Sequence, residues 1–370
     1  MAEKPRSKHE AIFGYLHEAI LGGRYRPGDR IPSEVQLSRR FGTTRVTVAK
    51  ALRELEHAGF VSRRRGSGSF AAIPEKAQSW LVGLLVSGLG EGEIFEPICS
   101  GIASGAQAHQ FSILWGQSAQ APAGDKVAQA ERLCQEYIER KVSGVFFNPL
   151  ELTADMEGAN ARITGLLDRA GIPVVLLDGD VVRYPRRSRY DVVGVDNRRI
   201  GYVLADHLMS LGCRRIAFVA RPNSASTVED RIRGYREALA DRGIVPAAKW
   251  VVTGEVEEAR FAKDLMARVR PDGMICANDN TAAHVMGRLR GLGVRVPRDV
   301  RVAGVDDQKY ASLLGVPLTT VRQPCEALSA AALDCMARRI RNPVAPARDV
   351  RVDFTLVVRE STGTARKAGR

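Results

Sequence analysis

Apolar and polar residues in the N-terminal part of the chain follow a helical pattern. A helix is expected over residues 43–59, because Thr43 and Thr44 can cap its start and Gly59 can stop it. Its apolar stripe is formed by Val48, Ala51, Leu52 and Leu55. Their spacing matches the helical repeat of about 3.6 residues per turn, so the pattern predicts an amphipathic helix with one buried face.

A shorter helix is expected just before it. Ser33 and Gln36 have the spacing of a capping box that opens a helix. Leu37 and Phe41 supply its apolar side, and Gly42 ends it. Two short helices joined by a tight turn predict a helix–turn–helix.

The face of the second helix opposite the apolar stripe is largely basic. It carries Val46, Ala49, Lys50 and Arg53. Lysine and arginine can reach phosphates or guanine acceptors, a valine can contact a thymine methyl, and the positive helix start attracts a phosphate near Thr44 and Arg45. Taken alone, this helix is better interpreted as an ordinary amphipathic helix with a solvated basic side.

The next segment favours nucleic acid. Residues 60–62 and 69–71 have the pattern of two short strands, and the turn between them contains only Arg, Gly and Ser. Such a turn lets backbone and guanidinium groups approach a phosphate or a minor groove. Residues 1–70 hold 14 Lys and Arg against 7 Asp and Glu, a net of +7 out of the formal +13 of the chain. This concentration of charge predicts salt-sensitive DNA binding.

The run GGRYRPGDRIPSE at 22–34, the run TRVTVAKALREL at 44–55 and GSGSF at 66–70 resemble the GntR-type winged helix–turn–helix. The resemblance implies DNA contacts from the second helix and from the wing around Arg65 and Gly66. Val35 and Ala49 depart from members that carry arginine there, so the operator sequence cannot be transferred from a relative. The predicted DNA-binding residues are Ser33, Thr43, Thr44, Arg45, Val46, Thr47, Lys50, Arg53, Arg63, Arg64, Arg65, Gly66 and Ser67.

Beyond residue 80, apolar runs of strand length alternate with amphipathic segments. Strands are expected at 81–86, 111–115, 144–147, 173–177, 192–195, 216–220, 274–277 and 300–305. The helical segments include 126–140, 198–211, 229–242 and 280–291. The alternation predicts parallel sheets covered by helices on both faces, and eight strands suit two doubly wound lobes better than one sheet.

In open sheets of this kind, a ligand binds beyond the carboxyl ends of the strands. Polar residues follow several of the predicted strands: Asn148, Asp178, Asp180, Asp196, Asn197, Asn278, Asp279, Asp306 and Asp307. We expect Asp196, Asn197 and Asp279 to cap the following helices. Asp178 and Asp306 are better ligand candidates, because carboxylates can accept hydrogen bonds from sugar hydroxyls while Arg231 offsets their charge.

A second resemblance covers this region. The segments 193–197, 205–218, 231–239, 296–300 and 317–324 resemble, in order, the LacI/GalR effector domain, which is itself similar to periplasmic sugar-binding proteins. It implies a type I periplasmic-binding-protein-like fold. Together with Asn148, the predicted effector-binding residues are Phe95, Asp178, Arg231, Asn278, Asp306 and Gln323. A GntR-type reader joined to such a sensor is the arrangement of the arabinose-repressor (AraR) group, which residues 94–102 also resemble.

These patterns predict an α+β winged helix–turn–helix followed by a two-lobed α/β domain. We expect the DNA-binding domain at 1–73, a linker at 74–79, the effector-binding and dimerisation domain at 80–362 and a basic tail at 363–370. The favoured hypothesis is a homodimeric repressor that binds a palindromic double-stranded DNA operator. A sugar or a sugar-derived effector is expected to release it.

Two alternatives stay open. A sugar-binding component of a transporter would explain only the C-terminal part. A sugar-acting enzyme would need a catalytic acid–base pair or a cofactor lysine in a recognisable setting, and the sequence offers neither, so no catalysis and no cofactor are expected. The six histidines have no metal-ligand spacing.

The absence of a secretory signal and of any apolar run of about 18 residues predicts a soluble, cytoplasmic protein without a membrane partner. The six widely spaced cysteines are expected to be buried, reduced thiols.

Overall fold

The computed structural model describes residues 8–64, 67–72, 79–86, 94–115 and 126–363. The chain forms two compact units, Met1–Ser79 and Trp80–Arg370. Each unit has a hydrophobic core of its own. None of the described helices is long and apolar enough to cross a membrane.

The smaller unit consists of three helices and a hairpin. Its elements are α1 (Lys8–Leu21), α2 (Glu34–Phe41), α3 (Arg45–His57), β1 (Val61–Arg64) and β2 (Gly68–Ala71). The two strands pair antiparallel, and Phe70 also bridges to Arg30. The helices enclose Ile12, Leu16, Ile20, Leu37, Val48, Ala51, Leu52 and Leu55, all of them buried. The predicted apolar stripe of the second helix is confirmed, and the unit is a winged helix–turn–helix.

The predicted helix boundaries in this unit are confirmed as well. Ser33 and Gln36 form the capping box of α2 reciprocally through backbone and side chain. Gly42 follows α2 in the left-handed conformation, with φ 56°. This conformation is readily adopted by glycine, which lets the chain turn sharply into α3.

The larger unit contains two six-stranded sheets. Its strands are β3 (Trp80–Leu85), β4 (Phe111–Trp115), β5 (Gly144–Phe147), β6 (Val174–Leu177), β7 (Asp191–Val195), β8 (Ile216–Ala220), β9 (Val251–Thr253), β10 (Gly273–Cys276), β11 (Arg301–Asp306), β12 (Thr319–Arg322), β13 (Asp349–Val352) and β14 (Thr355–Val357). Its α-helices are α4 (Phe95–Gly105), α5 (Lys126–Glu139), α6 (Met156–Arg169), α7 (Asn197–Ser210), α8 (Ser226–Asp241), α9 (Ala259–Arg268), α10 (Asp279–Gly291) and α11 (Cys325–Arg341). Short 3₁₀ helices lie at Ala106–His109, Ala248–Trp250 and Lys309–Ser312.

Each sheet belongs to one lobe. The sheet of the N-terminal lobe has the order β13-β7-β6-β5-β3-β4 and is entirely parallel. The sheet of the C-terminal lobe has the order β14-β12-β11-β10-β8-β9, with β14 alone antiparallel to its neighbour. The chain therefore passes between the lobes three times, after β7, after β12 and after β13. The two-lobed α/β prediction is confirmed.

The structure adds strands that the hydrophobic pattern did not predict. The eight expected strands are present within about two residues of their predicted ends. Four more, β9, β12, β13 and β14, complete the two sheets. Three of these lie at sheet edges and are only partly buried, so they lack the continuous apolar run of a central strand. The predicted parallel sheets are confirmed, and the added edge strand β14 pairs antiparallel with β12.

Two glycines bring α7 and α8 into close contact. A Cβ atom at Gly201 would lie 1.8 Å from the carbonyl oxygen of Arg231, and one at Gly234 would lie 1.7 Å from that of Arg198. Only the absence of these side chains permits this packing, since ordinary carbon contacts lie near 3.5–4.0 Å. The packing fixes the position of α8, which carries Arg231.

The six cysteines are unpaired thiols, as expected. Five are buried, whereas Cys325 at the start of α11 is partly exposed. Among the described residues, no group of three or more His, Cys, Asp or Glu side chains is arranged to hold a metal ion.

Candidate DNA-binding surface and effector cleft

The start of α3 is fixed by a threonine cap. The backbone N–H of Thr47 donates to Thr44 Oγ1 at 3.3 Å, and the two threonine hydroxyl oxygens lie 3.0 Å apart. Thr44 is thus the N-cap, as predicted, and its capping role holds the first turn in place. Thr43 is partly buried, and its carbonyl oxygen accepts a hydrogen bond from the Ser38 hydroxyl at 2.5 Å.

The face of α3 opposite the core carries charged side chains that pair with no described residue. Arg45, Lys50 and Arg53 are exposed. No hydrogen bond or ion pair ties their side chains to any other residue that the structure describes. Val46, beside Arg45, is 75% exposed, which is unusual for a valine. One helix face therefore presents three unpaired cations and one apolar side chain, the residue types that contact phosphates, guanine and thymine in a major groove.

The hairpin next to α3 is held against α2. Arg63 forms an ion pair with Glu34, the first residue of α2. The guanidinium of Arg64 lies over the ring of Phe70, 5.0 Å from its centroid. Ser67 is exposed, whereas the predicted contacts Arg65 and Gly66 lie outside the described residues. Ser33, also predicted to contact DNA, uses its hydroxyl to accept the Gln36 N–H at 3.3 Å.

In the larger unit, Arg231 is a buried cation with two internal partners. Its Nε donates to Asn197 Oδ1 at 2.8 Å, and its Nη1 donates to the carbonyl oxygen of Ala277 at 2.6 Å. Only 5% of its surface is exposed. These bonds hold the guanidinium at the carboxyl end of β10, where the sequence predicted an effector site.

Asp306, the last residue of β11, lies in the same region. It accepts a hydrogen bond from Gln323 Nε2 at 2.8 Å. Burial raises the pKa of Asp306 well above its ordinary value, and the nearby charges of Asp279 and Asp178 add to this, while Arg231 and Gln323 act in the opposite direction. Asp306 and Asp178 also adopt positive φ angles of 115° and 68°, which is uncommon for residues other than glycine and concentrates at functional sites.

The capping expectations were partly wrong. Asp196 caps α7, as predicted, by accepting the Arg199 N–H at 2.9 Å. Asn197 does not cap, because it is buried inside α7 and binds Arg231.

At α10, the observed N-cap is the residue before the one that was predicted. Asn278, predicted to contact the effector, is the N-cap of α10 through the Thr281 N–H at 2.9 Å. Asp279, the expected cap, is fully buried and accepts hydrogen bonds from the Thr320 hydroxyl at 2.6 Å and the Gln308 N–H at 2.8 Å. Burial raises the pKa of Asp279 to about 7, although these two hydrogen bonds lower it in part.

A narrow pocket lies between the lobes. From the N-terminal lobe, the predicted residues Phe95, Asn148 and Asp178 line it, and from the C-terminal lobe residues 225–227 face them. Its free volume is only about 40 Å³. Arg231, Asn278, Asp306 and Gln323 do not line this space, but Asp178 is close enough to Asp306 to raise its pKa. Three of the seven predicted effector-binding residues thus line the pocket, and four do not.

Part of the pocket lining was not predicted from the sequence. The pocket is also bounded by Glu151, Glu157, Arg183, Ser226 and Thr227. Thr227 is buried at the start of α8, and Arg183 lies in the loop after β6. Nothing in the sequence separates Arg183 from Arg186 and Arg187 in the same loop, so no local signal could have identified it.

Comparison with known proteins agrees with this division of the chain. Residues 8–70 match the family described as bacterial regulatory proteins of the gntR family, and residues 205–362 match the periplasmic binding protein-like domain. The chain therefore combines a GntR-type DNA-binding domain with a periplasmic-binding-protein-like domain.

Two curated relatives match the chain over nearly its full length. The arabinose metabolism transcriptional repressor of Geobacillus stearothermophilus is 27% identical over 374 residues, 98% of this chain and 99% of the relative. The protein of the same name from Halalkalibacterium halodurans is 26% identical over 380 residues, 97% of this chain and 98% of the relative. Both relatives are thus named as transcriptional repressors.

Solved structures show the same fold. The transcription regulator GntR of Chromobacterium violaceum matches with a TM-score of 0.61 and 24% identity, over 76% of this chain and 99% of its own. The complex of the transcriptional regulator CelR with cellobiose matches with a TM-score of 0.65 and 24% identity, over 90% of this chain and 100% of its own. At this level of identity, the likeness of the chain to both is one of fold.

Proposed function

We propose that this regulator is a repressor that binds its operator through α3 and the hairpin and that a sugar bound between the lobes releases it. The observation that carries the DNA-binding half is the exposed row Arg45, Lys50 and Arg53, which no described residue neutralises. Exposed cations on a helix that projects its polar face can replace the counterions of a DNA backbone, which supplies most of the binding energy at low salt.

The cleft supports the second half of the proposal. Asp178, Asp306 and Arg231 place acceptors and a donor near one another at the carboxyl ends of the strands. Such convergent polar groups bind hydroxyl-rich ligands. Arabinose is the first effector to test, because the two full-length relatives are named for arabinose metabolism. The regulator acts by binding alone in this proposal, without catalysis and without a cofactor.

Release requires a change in the shape of the cleft. A pocket of about 40 Å³ is far smaller than the roughly 300–1,000 Å³ of ordinary ligand sites. The lobes must therefore separate to admit the effector and close around it again. An effector shifts operator affinity only by its differential affinity for the two states, commonly about 1–3 kcal/mol of coupling.

We also propose that the regulator binds as a homodimer. A single winged module makes few phosphate and base contacts, whereas two modules on a palindromic site double them and fix their spacing. Sedimentation velocity of the full chain checks this, and a monomer that still binds its operator tightly would contradict it.

The proposal as a whole is tested in two steps. An operator is first selected from a random duplex pool with the full chain, and gel shifts then measure its affinity with and without arabinose and a panel of other sugars and sugar phosphates. We expect selective enrichment of a palindromic site and weaker binding with one member of the panel. Failure to enrich any sequence would contradict the DNA-binding half. Enrichment without an effect of any ligand would contradict only the sugar-response half.

A further inference from the structure

Two backbone N–H groups donate hydrogen bonds from one lobe to the other beside the pocket. The Leu152 N–H, in the loop after β5, donates to the carbonyl oxygen of Asn223, in the loop after β8, at 2.7 Å. The Ala225 N–H donates to Glu151 Oε2 at 3.2 Å. Each bond joins one lobe to the other, so both must break when the lobes separate.

A charged cluster lies beside these bonds. Arg183, in the loop after β6, pairs through Nη1 with Glu229 Oε1 of α8 at 2.9 Å and also forms an ion pair with Glu157 of α6. Glu157 belongs to the same lobe as Arg183, whereas Glu229 belongs to the other. Arg183 therefore connects the two lobes and lines the pocket at the same time.

Glu229 has a second cationic neighbour. Arg233, one turn further along α8, lies 3.6 Å from Glu229, and its guanidinium lies over the ring of Tyr184, 5.0 Å from the ring centroid. Tyr184 directly follows Arg183 in the loop after β6. Two adjacent residues of one lobe thus engage two residues of the other, and Glu229 is shared between both arginines.

We propose that Glu157, Arg183, Tyr184, Glu229 and Arg233 form a latch that holds the cleft closed and that an effector must break to enter. Three observations support the latch: the pocket behind it is too small for a sugar, Arg183 forms part of the pocket wall, and the ion pair with Glu229 spans the two lobes. The identity of the occupant rests on the proposed function, but the latch itself does not.

The ion pairs of the latch stabilise the closed cleft only weakly. Its side chains are partly exposed, with 46% for Arg183 and 35% for Glu229. Exposed ion pairs are individually weak and are screened by salt, so the latch favours closure without locking it. Removing one partner should raise the population of the open state about two- to fivefold.

Hydrogen–deuterium exchange of the full chain, without any ligand or DNA, tests the latch. The reporter is the Leu152 amide, which is protected only while the lobes are in contact. We expect Arg183→Ala and the isosteric Glu229→Gln each to accelerate its exchange by about two- to fivefold, in line with the opening of an exposed ion pair. Raising the salt concentration should accelerate this exchange in the wild type and have little effect in Arg183→Ala.

Arg187→Ala is the matched control. Arg187 lies in the same loop and is exposed, and no contact of its side chain with a described residue is present. Its variant should leave the exchange of Leu152 unchanged. The latch is refuted if Arg183→Ala and Glu229→Gln exchange like the wild type, if Arg187→Ala accelerates exchange equally, or if peptides from β10 accelerate as much as those at Leu152. Because neither DNA nor sugar is used, these outcomes are independent of the proposed function.

Discussion

The arginines of α3 are exposed to solvent, whereas Arg231 in the cleft is buried. Arg45 and Arg53 extend into solvent without a partner, whereas Arg231 is 5% exposed and is held by Asn197 and Ala277. An exposed guanidinium stays hydrated until a phosphate replaces the water, so it needs no partner within the protein. A buried charge costs several kcal/mol to desolvate and needs its partners in place before any ligand arrives.

This difference in exposure separates residues expected to affect only binding from residues expected to affect the stability of the fold. Residues of the α3 face can be changed with little effect on folding, because they contribute no internal contacts. Buried residues such as Arg231 make internal contacts, so their substitution should affect the fold as well as any ligand that binds there.

Arg231→Ala should have the largest effect. It removes the cation opposite Asp306 and leaves the Asn197 amide oxygen and the Ala277 carbonyl without their donor, so the free energy of unfolding should fall by about 3–5 kcal/mol. Effector binding should be lost, while operator binding measured below the unfolding temperature stays near wild type. Urea unfolding and titration calorimetry measure these effects. Arg236→Ala, an exposed position on the same helix, is the control. A stability loss equal to that of the control would contradict the contrast.

The pH dependence of stability should reveal Asp279. Its pKa is raised to about 7 in the folded protein, whereas an unfolded aspartate ionises near 3.9. The folded state therefore holds a proton that the unfolded state has released between about pH 4 and 7, so this contribution to stability is complete below pH 4 and is lost as the pH rises through 7. Asp279→Asn should gain stability relative to wild type across that range, by at most about 4 kcal/mol. Urea unfolding at several pH values measures the difference, and a constant difference would disprove the assignment.

Arg45→Ala should weaken operator binding without affecting the fold. Losing one good bidentate contact to a base costs about 1–3 kcal/mol. The melting temperature should match the wild type, because the Arg45 side chain makes no contact with the described core. Gel shifts with the selected operator measure the loss, and Arg187→Ala, which removes the same charge from the larger unit, is the control. Wild-type affinity in Arg45→Ala would show that this end of α3 does not face DNA.

The smallest effect concerns salt. If Arg53 contacts a phosphate, Arg53→Ala should reduce the slope of log affinity against log salt concentration by about 0.9. Effector binding in the cleft, where the charges already have internal partners, should vary little over the same salt range. Parallel titrations from 50 to 200 mM salt compare the two sites. An unchanged slope would assign Arg53 to solvent instead.

The same contrast explains what the sequence could predict. The winged helix–turn–helix depends on local signals. The capping box of Ser33 and Gln36, the Thr44 cap and the Gly42 turn each act over three or four residues, so all three could be predicted from the sequence. Eight of the twelve strands of the larger unit were predicted, because each carries an apolar run of strand length. By contrast, β13 exists through its pairing with β7, which lies more than 150 residues earlier, and no local pattern marks it.

The cleft was predicted less completely for a related reason. Asn278 and Asp279 have the same capping chemistry, and which one caps depends on a shift of α10 by a single residue. Arg183 differs from its neighbours only by facing Glu229, a contact made by tertiary structure. The roles of the predicted DNA and effector contacts stay predictions until the variants are measured.

The close packing of α7 on α8 implies that responsiveness to an effector can be altered from outside the cleft. An alanine at Gly201 or Gly234 would force the helices apart by roughly 1–2 Å to restore ordinary atomic contact. That displacement would move the Arg231 guanidinium relative to Asp306 without changing any residue that lines the pocket. Under the proposed function, variants with an altered response to the effector are therefore to be sought at these two glycines as well as among the residues of the cleft.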